Sequence, residues 1–154
     1  IEKMEPVLGV IFAPAMDRMF HGFKGGGSVE KSPGREGPIQ VRQLPESGSR
    51  AVASRSHRNE ETNRWLEAHQ IRDTVSIGSS LKFCLVACGE ADVYPRFGPT
   101  MEWDTAAGDA ILRAAGGLTT HPDGSIFRYG KAGYHNSSFI AYGQPDRWGP
   151  KASV

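Results

Sequence analysis

A carboxylate next to a run of small residues is the clearest sign of chemistry in this sequence. Asp104 follows Trp103 and precedes Thr-Ala-Ala-Gly at 105–108, where we expect a helix over 105–115. Backbone N–H groups and the helix dipole orient a carboxylate at a helix N-terminus, so its outer oxygen can bind a hard cation such as Mg²⁺. The small residues would let this helix end lie close to the bound group, with Trp103 packed beneath. Alternatively, Asp104 only caps the helix.

Residues suited to an anion lie upstream of Asp104. Gly78, Ser79 and Ser80 join a predicted strand to a predicted helix, and Lys82 falls in the first turn of that helix. A strand, a turn of small residues and a helix together form a common phosphate-binding geometry. Arg96, in a loop after the next predicted strand, can grip a phosphate through two parallel hydrogen bonds. The structural alternatives are helix capping by the serines and solvated charges at Lys82 and Arg96.

One histidine and two cysteines complete the set of candidates. His57 lies between a predicted strand and an acidic helix start, where it can contact a base or a phosphate, or serve structure alone. Cys84 and Cys88 are four residues apart in an apolar run, and the chain has no other cysteine. We interpret both as core thiols in a reducing compartment, because a metal pair would need further ligands at suitable spacing.

The composition restricts the class of protein. The chain has 154 residues, of which 38% are hydrophobic and 23% are charged, which is typical of one globular domain or a large fragment. A net charge of +1 gives no reason to expect a nucleic-acid polymer as partner. The sequence contains neither a long apolar run nor a signal-peptide pattern. We therefore expect a cytoplasmic protein with no stable membrane span.

The order of the predicted elements indicates an α/β fold. Strands over 7–12 and 16–23 would form a hairpin or meander, and the Pro-rich stretch 31–38 is predicted as a loop that is more prone to disorder than the rest of the chain. From a predicted strand at 39–44 onward, strands and helices alternate, including a helix from residue 59 to about 70. This alternation favours helices packed against a largely parallel or mixed sheet.

Several segments taken together resemble the inositol monophosphatase superfamily. They are residues 76–87, 89–100, 103–108 and 115–117, with further similarity at 6–14 and 54–57, so that the resemblance covers nearly the whole chain. Within the superfamily the similarity is to 3'(2'),5'-bisphosphate nucleotidases of the CysQ type. The resemblance implies a Mg²⁺-dependent phosphatase that removes the 3'-phosphate of 3'-phosphoadenosine 5'-phosphate, a nucleotide bisphosphate, to give AMP.

The resemblance also implies residue roles and a layered fold. Asp104 would be both metal ligand and catalytic residue, and His57 would lie beside the adenosine. Ser79, Lys82 and Arg96 would hold the substrate phosphates, and Gly78 and Ser80 belong to the same turn. The implied fold is a layered α-β-α-β-α sugar-phosphatase fold. Residues 1–45 would complete its antiparallel sheet, residues 46–143 would form the C-terminal α/β half, and residues 144–154 would be a tail.

The sequence departs from the family pattern in one respect. The metal motif Asp-Pro-x-Asp-Gly-Thr and an upstream glutamate are absent, although they carry most of the metal ligands in the family. We therefore expect a C-terminal part that is inactive without the N-terminal segment of the same protein. The alternatives are an inositol or sugar monophosphatase, and a non-catalytic nucleotide-binding fragment. The sequence also leaves open that the protein forms a homodimer.

Overall fold

A computed structural model describes residues 1–43, 45, 48–53, 59–78 and 80–144 of the chain. The strands are β1 (Leu8–Ala13), β2 (Arg18–Phe23), β3 (Gly27–Ser32), β4 (Arg35–Ile39), β5 (Arg50–Ala53), β6 (Asp73–Ser76), β7 (Val93–Arg96), β8 (Thr100–Met101), β9 (Leu118–Thr120), β10 (His135–Asn136) and β11 (Phe139–Tyr142). The α-helices are α1 (Glu60–Ala68), α2 (Leu81–Ala87) and α3 (Glu102–Ala114), and short 3-10 helices lie at Pro14–Met16 and Ala132–Tyr134.

The first four strands form an antiparallel meander in the order β1-β2-β3-β4, which confirms the predicted hairpin or meander. The loop predicted over 31–38 is wrong, because β3 and β4 extend through it and meet at a tight turn. Gly34 has a φ of +72° in that turn, a conformation that glycine adopts without steric cost. Pro38 is tolerated because β4 is at the edge of the sheet.

The strand predicted over 39–44 is also wrong, since β4 ends at Ile39 and the described residues after it are irregular. Two contacts hold this connection in place. The Val41 N–H donates to the Ala115 carbonyl at 3.1 Å. Arg42 donates to both carboxylate oxygens of the buried Asp92, at 2.9 and 2.8 Å. These long-range hydrogen bonds fix the connection in place without pairing it to a strand.

The second sheet is mixed, as predicted, with the order β6-β5-β7-β11-β9. Strand β5 pairs in parallel with β6 and β7, whereas β11 pairs antiparallel with β7 and β9. Alternate residues of β11 pack on opposite faces: Phe139 joins the core under α2 and α3, and Ile140 joins the core with Leu66 of α1. Because successive side chains of a strand point to opposite faces of the sheet, one helical layer packs on each side of this sheet.

The larger core lies between the two sheets and contains α2 and α3. Phe20 of β2, Phe83 of α2 and Ile111 of α3 are all fully buried there. The described layers therefore run α1, second sheet, α2 with α3, and meander, which confirms the layered α/β class. The boundary predicted at 45/46 stays a prediction, and most of the predicted tail lies outside the described residues.

Helix α3 fits closely between its neighbours through its small residues. A Cβ added to Gly9 of β1 would lie 2.1 Å from the Ala107 carbonyl oxygen, and one added to Gly108 would lie 2.7 Å from the Phe83 Cβ. The helix begins at Glu102, three residues before the predicted start. The prediction that the small residues make room for a ligand is wrong for Gly108, because its missing Cβ makes room for Phe83 of α2.

One face of the meander is apolar and exposed. Leu8, Val10 and Phe12 occupy alternate positions of β1 and therefore share one face. Phe23 of β2 lies opposite Leu8 on the same face. Each of these four side chains is more than half exposed. We call these four residues the outer apolar face. In the described part of the chain, no helix is both long and apolar enough to cross a membrane.

Candidate active site

Two cations and a tyrosine ring meet where α2 begins and β7 ends. Tyr94 and Arg96 lie on the same face of β7 because side chains two residues apart in a strand point the same way. Lys82, the second residue of α2, places its Nζ 5.4 Å from the centre of the Tyr94 ring. Phe83 and Phe139 fix that ring by edge contacts, with ring centres 5.3 and 5.4 Å away. The sequence predictions did not include Tyr94; its position two residues before Arg96 was the available signal.

The two cations are arranged to receive an anion. Lys82 is only 5% exposed. Burial, and secondarily the positive charge of Arg96, lowers the pKa of Lys82 to about 8. The Nη2 of Arg96 donates to the Pro99 carbonyl at 3.1 Å, while its buried Nε has no acceptor among the described residues. A phosphate between the two side chains would offset their mutual repulsion and accept from Arg96.

Asp104 lies near the same tyrosine ring. Its negative charge helps to raise the pKa of Tyr94, which burial chiefly raises to about 12, while the charge of Arg96 acts in the opposite direction. The Asp104 carboxylate is exposed and accepts from the Met101 N–H at 3.1 Å through Oδ2. The structure therefore places Lys82 at the Tyr94 ring, and Arg96 and Asp104 close enough to Tyr94 for their charges to act on its pKa.

The position of Asp104 corrects the predicted helix start. Asp104 is the third residue of α3, and Met101 is the N-cap. In a capping box, the side chain of the third helical residue accepts a hydrogen bond from the backbone N–H of the N-cap residue. The bond between Asp104 and the Met101 N–H is this half of the box. Trp103 is 66% exposed and contacts the Tyr134 ring, so the expectation that it packs beneath Asp104 is wrong. Capping uses one lone pair of Asp104, and a carboxylate has others to offer a cation.

The turn before α2 is described in part. Gly78 is exposed, and a Cβ there would meet nothing within 4 Å, so packing does not require glycine. The side chain of Ser80 forms no capping bond to α2, so the capping alternative is wrong for Ser80. Its carbonyl accepts from the Phe83 N–H at 3.1 Å. The predicted site residues Ser79 and His57 lie outside the described residues.

Asp104 fits a magnesium ion but supplies only one ligand. Mg²⁺ prefers carboxylate oxygens and keeps several waters or phosphate oxygens in its shell. The other aspartate of this helix, Asp109, is fully buried and bound by Arg113 and the Tyr129 hydroxyl, each at 3.0 Å. Asp109 therefore belongs to the core and does not supply a second ligand beside Asp104.

A second group of potential metal ligands is an ion-pair network. Within the described residues, ligand atoms of Glu30, Cys88 and Glu90 lie within 4.8 Å of one another. The Arg18 guanidinium occupies this cluster, 2.7 Å from Glu30 and 2.5 Å from Glu90. Burial chiefly raises the pKa of Cys88 to about 11, so the thiol keeps its proton. Cys84 is fully buried in the main core, which confirms its predicted structural role.

Comparison with known proteins identifies the family. The sequence model of the inositol monophosphatase family matches residues 1–149. The chain belongs to this family. Among curated members it is similar to the 3'(2'),5'-bisphosphate nucleotidases CysQ of Salmonella typhimurium and Escherichia coli K12, with 49% and 47% identity over 116 residues. Each alignment covers 75% of this chain and 46% of the relative, so the chain spans about half the length of these family members.

Solved structures of the family agree with the fold. The crystal structure of CysQ from Bacteroides thetaiotaomicron matches with a TM-score of 0.83 and 36% identity, covering 92% of this chain and 59% of that one. An inositol monophosphatase from Anabaena matches with a TM-score of 0.69 and 29% identity, covering 92% and 56%. These comparisons confirm the prediction from the sequence that the chain is a CysQ-type member of the family.

Proposed function

We propose that this chain is the C-terminal part of a 3'(2'),5'-bisphosphate nucleotidase that releases the 3'-phosphate of 3'-phosphoadenosine 5'-phosphate and leaves AMP. The observation that carries the proposal is the grouping of two cations, Lys82 and Arg96, with the carboxylate Asp104 around Tyr94. A substrate with two phosphates can use both types of group, one phosphate at the cations and the other at a metal on the carboxylate. The CysQ relatives are 3'(2'),5'-bisphosphate nucleotidases, which supports the same substrate class.

Each candidate residue has a role in this proposal. Asp104 would hold Mg²⁺, which supplies positive charge at the phosphate oxygens and lowers the pKa of a bound water. Lys82 and Arg96 would hold the phosphate that is not cleaved, with Gly78, Ser79 and Ser80 in the adjoining turn. His57 would lie beside the adenosine. In the reaction, the oxygen of a water molecule bonds to phosphorus as the bond between phosphorus and the 3'-oxygen breaks. The 3'-oxygen takes up a proton and becomes the hydroxyl of AMP.

We also propose that the remainder of the protein covers the outer apolar face. The CysQ relatives are about 1.6 times as long as this chain, since the 116 aligned residues are 75% of this chain and 46% of the relative, so a complete protein of their length includes further polypeptide. Four apolar side chains, each more than half exposed on one sheet face, are typical of a surface that another part of a protein buries. The same polypeptide would bring the Asp-Pro-x-Asp-Gly-Thr motif and the metal ligands that Asp104 lacks.

Substrate choice tests the proposed function directly. We would measure phosphate release by the complete protein with Mg²⁺ from 3'-phosphoadenosine 5'-phosphate and from inositol 1-phosphate. A kcat/KM at least about tenfold higher for the nucleotide is expected, since one additional charge-assisted phosphate contact is equivalent to that factor or more. Preference for inositol 1-phosphate would replace the proposal with the inositol or sugar monophosphatase alternative.

Removing either cation should discriminate between substrates with one and two phosphates. In the complete protein, Lys82→Ala or Arg96→Ala is expected to raise the KM for 3'-phosphoadenosine 5'-phosphate about 10- to 100-fold, the loss of a hydrogen bond to a charged group. The KM for adenosine 3'-monophosphate, which lacks the 5'-phosphate, should change less than about threefold.

Lys31→Ala is the matched control for these variants, because Lys31 is an exposed lysine of β3 paired only weakly, at 3.7 Å, with Glu36. It should leave both KM values unchanged. Equal losses for the two substrates in the Lys82 or Arg96 variant would contradict the proposed phosphate contact and indicate general damage to the site.

The lowered pKa of Lys82 predicts a pH dependence. Because burial and Arg96 lower this pKa to about 8, Lys82 is charged below that pH and neutral above it. A phosphate binds the charged form, so kcat/KM for the bisphosphate should fall above about pH 8, by at most about tenfold per pH unit. The profile is measured from pH 6.5 to 9.5.

Two variants separate Lys82 from other titrating groups. Lys82→Arg keeps its charge throughout this range, so the fall above about pH 8 should disappear. Lys82→Met should show a low kcat/KM without that fall. A wild-type profile retained in both variants would assign the titration to another group and contradict this prediction.

A further inference from the structure

A polar network joins the start of α3 to the segment 128–136. Glu102, the first residue of α3, is only 7% exposed. Its carboxylate accepts from the Gly130 and Lys131 N–H groups at 2.9 Å each, and from the Lys131 Nζ at 3.2 Å. Lys131 thereby supplies both a backbone and a side-chain donor to the same buried carboxylate. The sequence predictions did not include either residue.

Lys131 is the centre of this network. Besides Glu102, its Nζ donates to Asn136 Oδ1 at 3.1 Å and to the Arg128 carbonyl. These three acceptors match the three N–H donors of an ammonium group. The Nζ also lies 4.4 Å from the centre of the Phe127 ring. Such a complete set of contacts holds the ammonium in one position, and removal of its charge would leave the buried Glu102 carboxylate with its two backbone donors but without the positive charge of Lys131.

The network continues from Lys131 to Asp104 through Asn136. The Asn136 side chain donates to Thr100 Oγ1 and Thr105 Oγ1, both at 3.1 Å. Thr100 lies in β8, which pairs with β10, and Thr105 lies in the first turn of α3. The next residue of β8, Met101, donates the backbone hydrogen bond that Asp104 accepts. The segment 128–136 therefore contacts both elements that orient the Asp104 carboxylate.

We propose that Lys131 is a positioning residue for Asp104, which it orients through Glu102 and through Asn136 on β8. This inference rests on the proposed role of Asp104 as a metal ligand. Residues that orient a metal ligand typically contribute 10- to 100-fold to metal affinity. Lys131 therefore contributes to cation binding without contacting either the cation or the substrate.

The test measures metal binding directly in the complete protein. Mn²⁺, a spectroscopic substitute for Mg²⁺, is titrated by electron paramagnetic resonance without substrate. Lys131→Met is expected to weaken Mn²⁺ binding about 10- to 100-fold, with less than about threefold change in the KM for the nucleotide at saturating Mg²⁺. Lys24→Met is the matched control, because Lys24 forms an exposed ion pair with Glu5 at 2.7 Å. Its Mn²⁺ affinity should equal that of the wild type.

A milder variant guards against loss of folding in Lys131→Met. Thr100→Val removes the hydroxyl that accepts from Asn136 and keeps nearly the same shape, so about 3- to 10-fold weaker Mn²⁺ binding is expected. Wild-type Mn²⁺ affinity in a folded Lys131→Met protein overturns the proposal. If Lys131→Met does not fold, wild-type affinity in Thr100→Val overturns it.

A double-mutant cycle separates positioning from general destabilisation. If Lys131 acts through Asp104, Lys131→Met should weaken residual Mn²⁺ binding less than about threefold once Asp104 is asparagine. An equal loss in both backgrounds overturns the proposal. If Asp104→Asn alone leaves Mn²⁺ affinity unchanged, the proposed metal role of Asp104 is wrong, and this result is independent of the Lys131 measurement.

Discussion

Asp104→Asn in the complete protein is expected to lower kcat about 100-fold or more and to weaken Mg²⁺ binding by a similar factor. The substitution replaces a charged oxygen ligand with a neutral amide. The amide oxygen can still accept the hydrogen bond from the Met101 N–H, so the start of α3 should keep its shape. Turnover is measured over a range of Mg²⁺ concentrations, and metal affinity by calorimetry.

A matched control for this variant is Asp73→Asn. Asp73 is an exposed carboxylate in β6 that pairs with Arg50 at 2.7 Å, and exposed ion pairs contribute little to stability. Asp73→Asn should therefore retain wild-type turnover and wild-type metal affinity. If Asp104→Asn also keeps both its activity and its Mg²⁺ dependence, Asp104 is not a metal ligand.

The 154-residue chain alone is expected to release no phosphate above the buffer background from 3'-phosphoadenosine 5'-phosphate and Mg²⁺. Asp104 is the metal ligand that we propose in this chain, and a single ligand cannot hold the metal ions that activate water and stabilise the phosphate oxygens. Phosphate release is measured with the purified chain. Turnover by this chain would refute the proposal that it is an incomplete enzyme.

Complementation tests whether the outer apolar face receives the rest of the protein. The N-terminal segment of the complete protein, added as a separate polypeptide, is expected to restore phosphate release. Phe12→Ser on the outer apolar face should weaken this rescue, because it removes apolar area that the segment would bury. Arg64→Ser, at an exposed residue of α1 on the far side of the second sheet, is the control and should not. Rescue that is unaffected by Phe12→Ser would contradict the proposed docking on this face.

If the complete protein binds the nucleotide but does not hydrolyse it, the non-catalytic alternative replaces the proposed enzyme. Binding is measured by calorimetry with Mg²⁺, and hydrolysis by phosphate release. This outcome differs from failure of the isolated chain alone, which the proposal expects.

The secondary structure was predictable where hydrophobic patterns were local. The strand Phe139–Tyr142 lies where it was predicted, and α1 begins after Asn59, whose side chain caps the helix by accepting from the Thr62 N–H at 2.9 Å. Two elements were missed for a physical reason. The strands Thr100–Met101 and His135–Asn136 have two residues each, too few for any periodic pattern. They form because they pair with each other across the 33 residues of chain that lie between them.

The errors near residues 31–44 have a related cause. Glycine and proline are typical of loops, but in a hairpin they also occupy the turn and the edge strand, and local composition does not distinguish these cases. The small residues of α3 were misjudged similarly. Their spacing indicates close approach, but only the packed structure shows that the Ala107 carbonyl lies against Gly9 of β1 and that Gly108 lies against Phe83.

The sequence by itself determined the types of chemical group in the candidate site and the family, because the carboxylate, the cations and the motifs around them are local features of the chain. Only the tertiary structure placed Lys82, Arg96 and Asp104 around Tyr94, and joined Glu102 to Lys131 across 29 residues. Burial and charge act through space, so a lowered pKa at Lys82 or a buried carboxylate at Glu102 depends on neighbours that are distant in sequence. That dependence explains why the groups could be named from the sequence and their environments could not.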